Sequence, residues 1–150
     1  MVIAVVGILV LAVLVAVVVA IAKDRGPGPE EVAVAYEVAW DKLDFESLYV
    51  LSGRELRDGL DRRQFVASKA AAYADQRALG GLADRVGVDD HAISGNGAIV
   101  ATSVELRDGG IVHNRVDLAR RNGRWEVVGY RLAPDHAPKA SGEAKPPPAT

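Results

Sequence analysis

The sequence has no cysteine. That excludes disulfides, thiol nucleophiles, cysteine-ligated metal and a lipidated cysteine anchor. Aromatic residues make up only 5% of it, so each aromatic position carries weight in the reading. A basic excess is missing too. Eighteen Lys and Arg against 20 Asp and Glu give a net charge of −2, and this excludes the electrostatic footprint of a nucleic-acid binder. There are only three histidines, His91, His113 and His136, and none share a helical ligand spacing. Asp89-Asp90-His91 falls in a stretch that reads as strand, where successive side chains point to opposite faces and cannot converge on an ion. No glycine motif precedes a helix in the way a phosphate cradle requires. Neither a metal nor a cofactor is expected.

What is present begins with "MVIAVVGILVLAVLVAVVVAIA", 22 residues without a charge or a polar side chain. As a helix this run spans roughly 33 Å, enough for a hydrocarbon core. In lipid a helix also satisfies its own backbone groups. The expectation is a single transmembrane helix over residues 1–22, with the lipid bilayer as its partner. The competing reading is a cleaved signal peptide ending at Ala20-Ile21-Ala22. It lacks a basic segment in front, and its apolar stretch is too long. Lys23 and Arg25 follow the run, and the positive-inside bias leans the remaining domain towards the cytoplasm as a single-pass membrane protein. Basic residues ahead of Met1, had the true start lain upstream, would reverse that lean.

Residues 23–29 form a hinge, since Gly26-Pro27-Gly28-Pro29 cannot continue a helix. Pro29 suits the first turn of a new helix, with Glu30 and Glu31 at its positive end. That helix, about 13 residues long, carries Val32, Tyr36 and Trp40 on its apolar face, beside Ala33, Ala39 and Leu43. Glu37, Asp41 and Lys42 are assigned to its polar side. Asp44 caps a short helix with Leu48, Val50 and Leu51 as its apolar face, stopped by Ser52-Gly53. Asp61 and Gln64 resemble a capping box for a further helix that carries Phe65, Val66, Lys69, Ala72, Tyr73 and Gln76 and ends before Gly80-Gly81. Arg62-Arg63 reads as a solvated pair.

From Leu82 the period changes to two. Four strands are expected, in "LADRVGVDDHAIS", "GAIVATSVEL", "GIVHNRVDLAR" and "RWEVVGYRL", joined by short glycine-bearing turns. The second places Ala98, Val100, Thr102, Val104 and Leu106 on one face. The third separates Val112, Asn114, Val116 and Leu118 from His113, Arg115 and Asp117. Asn122-Gly123 predicts a type I′ turn, with Arg120, Arg121 and Arg124 as its solvated rim and Trp125 as the peg that closes the sheet on the helices. The fold class is α+β: an N-terminal transmembrane helix, then helices packed on a curved four-stranded antiparallel sheet over residues 30–133. Residues 134–150, rich in Pro, Ala, Lys and Gly, are expected to be disordered.

The stretch "AYEVAWDKLDFESLYVLSGRELRDGL" and the closing "NGRWEVVGYRL" resemble the nuclear-transport-factor-2-like superfamily, the cystatin-like α+β cone. The likeness covers residues 29–133. With the apolar run in front, the chain looks like small membrane-anchored bacterial members, especially those of high-GC actinobacteria. The superfamily includes isomerases, cyclases, dehydratases, transport adaptors and many domains without chemistry, so the resemblance implies a fold and not an activity. It also implies a homodimer through the sheet.

Candidate catalytic residues are His113, Asp117 and Tyr130 on the sheet. Candidate ligand-pocket residues are Tyr36, Trp40 and Trp125, for which packing in the core is the competing reading. His113 and Asp117 lie four apart on one strand face, roughly 13 Å along it, too far for a direct hydrogen bond. Without a partnered acid or base, the expected function is a membrane-tethered, non-catalytic domain for interaction or small-ligand binding, with an unidentified protein partner. The alternative is a small cofactor-independent enzyme of isomerase or cyclase type.

Overall fold

The computed structural model describes residues 26–75 and 80–133. The transmembrane helix expected over 1–22, residues 23–25 of the hinge, and the tail at 134–150 lie outside the described residues. Among the described residues, no helix is long and apolar enough to cross a membrane.

Helix α1 spans Pro29–Asp41 and α2 spans Phe45–Leu51. A 3₁₀ turn follows at Arg54–Leu56, then α3 at Arg62–Ala72. The helix starts follow from local chemistry. Pro29 opens α1 while Glu31 reaches back to the Gly28 amide at 2.9 Å. Asp44 accepts from the Ser47 amide to cap α2. Asp61 and Gln64 close the expected capping box on α3 through bonds of 2.9 and 3.1 Å.

Four strands come next: β1 (Ala83–Ser94), β2 (Gly97–Leu106), β3 (Ile111–Arg121) and β4 (Arg124–Leu132). They pair antiparallel in sequence order. The register shifts at Ala83/Arg85 and Val88/Asp90 in β1, and again opposite Asp117 and Leu118, where Val128 of β4 is the extra residue; these bulges bend the sheet into its curve. Asn122 and Gly123 have φ of 50° and 78°, both positive, as a type I′ turn demands.

The core lies between α1 and the inner face of the sheet. Val32, Ala33, Tyr36 and Ala39 of α1 meet Val100 of β2, Val116 and Leu118 of β3, and Val127 of β4. Leu48 and Phe65 seal it from α2 and α3. After α2 the chain runs briefly alongside β4: Ser52 bridges Val127, and the Gly53 amide donates to the Val127 carbonyl at 2.7 Å.

Two helix-face assignments need correction. Val50, placed on the apolar face of α2, is exposed, because Leu48 alone of that trio turns fully into the core. Glu37, placed on the polar side of α1, is buried.

Candidate functional site

The interior of the cone is built around that buried carboxylate. Glu37 stands one helical turn after Ala33 and one before Trp40, so it shares the face that α1 turns towards the sheet. Strand alternation brings three donors to meet it. Thr102 on β2 donates to Oε1 at 2.6 Å, and Asn114 on β3 donates to the same oxygen at 3.1 Å. Tyr130 on β4 donates to Oε2 at 2.7 Å. Thr102 and Asn114 are themselves buried. A carboxylate taken out of water needs such partners, since burial without them costs far more than the bonds return.

Tyr130 connects this hub to a second polar cluster. Its ring lies edge-on to Tyr36 at 5.3 Å, and Tyr36 lies edge-on to Trp40 at 6.4 Å. Burial raises the Tyr36 hydroxyl above its ordinary value, against the opposing effect of the neighbouring Trp40 and Ser52 side chains. Trp40 Nε1 and Ser52 Oγ are buried and complete no hydrogen bond of their own. Burial likewise raises the Tyr130 hydroxyl, and the Glu37 charge beside it adds to the shift. Tyr130 thus keeps its proton and donates it to Glu37.

Of the sequence candidates, Tyr130, Tyr36 and Trp40 belong to this interior, and Trp125 is half-buried against the same core. His113 and Asp117 do not join them. With Asn114, Val116 and Leu118 facing inward, the two-residue period turns both outward. There His113 Nδ1 lies 3.0 Å from Asp89 Oδ2, and Ser103 donates to the other oxygen of Asp89 at 2.7 Å. Asp117 accepts from Arg115 at 2.9 Å and lies 3.4 Å from Arg131. His91, on the inner face of β1, pairs with Glu30 at 2.6 Å. Among the described residues, no group of three metal-ligating side chains converges.

Sequence reading missed Glu37, Thr102 and Asn114 as members of a site. The signal was available for Glu37. Its spacing from Ala33 and Trp40 places it on the buried face, and only its residue type argued for the solvent.

Grooves lie elsewhere. One of about 480 Å³ runs between α1 and α2, lined by Ala35, Val38, Ala39, Val50 and Leu51 among others. Another of about 580 Å³ lies beyond the end of α1, beside Leu43, Phe45 and Tyr73. Neither is lined by Glu37, Tyr36 or Tyr130.

No family model matches the chain, and a search of curated proteins finds no match. Solved structures do match. A SEC-C motif containing protein from Rhodopseudomonas palustris is 20% identical, with a TM-score of 0.50, over 71% of this chain and 79% of that one. An NTF2-like protein of unknown function from Silicibacter pomeroyi is 14% identical, with a TM-score of 0.45, over 68% and 90% of the two chains. A protein with a ketosteroid isomerase-like fold from Catenulispora acidiphila is 16% identical, with a TM-score of 0.41, over 71% and 86%. At such identities the likeness is one of fold.

Proposed function

We propose that this domain, which has the nuclear-transport-factor-2-like fold, is a non-catalytic binding module held at the cell membrane by residues 1–22. It presents its surface to a protein partner or a small ligand. The observation that carries the reading is the state of Glu37. Both of its oxygens are already engaged, by Thr102, Asn114 and Tyr130, within a cone packed with Val, Leu and aromatic side chains. A general base needs a lone pair aimed at substrate, and both Glu37 oxygens are instead turned to fixed donors on the sheet. The other candidates face out of the cone, His113 beside Asp89 and Asp117 paired with Arg115 and Arg131.

Lys23 and Arg25 after the apolar run favour the cytoplasmic side for the domain. A reporter pair fused after Thr150, each active on one side of the membrane, tests this directly. Association through the outer face of the sheet completes the reading. A panel of small ligands screened by melting shift, together with crosslinking in intact membranes, tests the binding role. One reproducible partner, a self-crosslink or a saturable melting shift supports it. A monodisperse monomer with none of these overturns it.

A second reading keeps one specific observation in its favour. A buried carboxylate hydrogen-bonded to a phenol, Glu37 to Tyr130, is also a proton-handling pair. Turnover of any small substrate that vanishes in Glu37→Gln, in a variant that melts cooperatively, would establish an enzyme in place of the binding module.

A further inference from the structure

The interior of the cone holds a carboxylate and no buried cation. Among the described residues the buried polar side chains are Glu37, Ser52, Thr102 and Asn114, with no Lys, Arg or His. The carboxylate is met by neutral donors, and all three belong to the sheet. Thr102 and Asn114 are register partners on β2 and β3. Tyr130 of β4 stands opposite Val116, the next inward position along β3. The backbone ladder therefore fixes the spacing of the three without help from α1. Between them they serve both oxygens, Thr102 and Asn114 meeting Oε1 and Tyr130 meeting Oε2.

Glu37 comes from another element, 65 residues from Thr102 and 93 from Tyr130 along the chain. The sheet supplies a set of donors, and the helix supplies what they hold. The donor set also selects its occupant. A carboxylate only accepts, and its oxygens offer about four lone-pair sites to the three donors. A water or an amide brings hydrogens of its own, and each would turn one of the hydroxyls from donor to acceptor. A buried group whose hydrogen-bonding capacity is mismatched costs more than a matched one returns.

We propose that the inner face of the sheet is a receptor for one carboxylate group, built from Thr102, Asn114 and Tyr130, and that Glu37 is its built-in ligand. Held in place by the fold, Glu37 has an effective concentration far above that of any free acid. The parent domain therefore keeps external carboxylates out of the cone. The same donors take a small free carboxylate once the Glu37 side chain is gone.

Glu37→Ala removes Cγ, Cδ and both Oε atoms, which match the heavy atoms of an acetate ion. Buried cavities made by truncation accept small molecules that fit them. The full chain in detergent is melted at neutral pH in rising acetate, with chloride at equal ionic strength as the control. The midpoint of Glu37→Ala should rise saturably by several degrees at millimolar acetate, as binding to the folded state requires. Acetamide, which has the shape without the charge, and butyrate, which is too long, should have no such effect. The parent chain should not respond. Thr102→Val added to Glu37→Ala should weaken the acetate effect several-fold. Where Glu37→Ala is unfolded in chloride, the same readout is the return of its cooperative melt in acetate. Equal shifts in parent and variant, a rise in acetamide as large as in acetate, or a variant that does not respond or stays unfolded in acetate overturns the receptor. None of these outcomes bears on the tether or on a partner, which the reporter fusion and the crosslinking test separately.

Discussion

Glu37 shows how far one residue can depart from what its type suggests. A carboxylate at a position 4% exposed is tolerated because three donors from three strands are aimed at it. Removing it leaves those donors buried without an acceptor, at about 1–3 kcal/mol for each group left unpaired. Glu37→Ala should therefore destabilise the domain by about 3 kcal/mol or more, read from the urea midpoint. Glu37→Gln, which keeps the shape and one acceptor, should cost visibly less. Tyr130 gives a pH signature. Burial and the Glu37 charge lift its hydroxyl above the ordinary 10.0 in the folded domain, while the unfolded chain titrates normally. Above pH 10 the unfolded state gives up a proton that the folded state keeps. The stability this group contributes is thus full below pH 10 and is lost as pH rises beyond it. Tyr130→Phe should lose about 1.5–3 kcal/mol at neutral pH, as expected for a hydrogen bond to a charged group. Its stability should then fall less steeply than that of the parent chain above pH 10, with urea midpoints at stepped pH as the measurement.

At the scale of elements, the closing hairpin was the most legible part of the sequence. "NGRWEVVGYRL" announced its turn through Asn-Gly, and the backbone carries positive φ at both positions. A side chain at Gly123, where φ is 78°, forces a left-handed conformation that costs about 1–2 kcal/mol. Gly123→Val should show that loss in equilibrium unfolding. Capping residues and the switch from a period of about 3.6 to one of two marked the remaining elements, because both signals are local. The contact between the 3₁₀ turn and the β3–β4 hairpin is not local, joining Glu55 to Arg121 across 66 residues, and nothing in the sequence announced it. Arg121 holds the Glu55 carboxyl at about 2, against its ordinary 4.5. The contribution of this pair is present above pH 4.5 and is lost as pH falls towards 2. Both groups meet solvent, so screening leaves it little weight in the stability of the domain. In Arg121→Gln the Glu55 carboxyl should titrate higher than in the parent chain by NMR, with little change in midpoint at pH 7.

At the scale of the whole molecule, the sequence displayed the layers and left the site obscure, for one physical reason. Periodicity reports which face of an element is apolar. A polar network inside a cone interrupts that pattern on several elements at once. Thr102 and Asn114 each sat correctly on an inward face, yet neither spacing nor type revealed that both serve a carboxylate on α1. The outer face of the sheet is the opposite case. It carries Ala101, Ser103 and Ala119 beside Ile99 and among the ion pairs of Arg115 and Asp117. Four strands spaced by about 4.8 Å and about 33 Å long offer roughly 600 Å² per copy. Two such faces bury roughly 1,200 Å², the lower bound of a specific interface. A dimer formed there should be weak and sensitive to the centre of the face. Ala101→Glu puts a bulky charged side chain beside Arg115 on each side of the twofold axis without touching the core, and taking that charge out of water at an interface is disfavoured. The full chain in nanodisc-free detergent should sediment as a concentration-dependent dimer, and Ala101→Glu as a monomer with an unchanged melting curve. A parent chain that stays monomeric at every concentration would remove the sheet as the self-association surface and leave its outer face to a different partner.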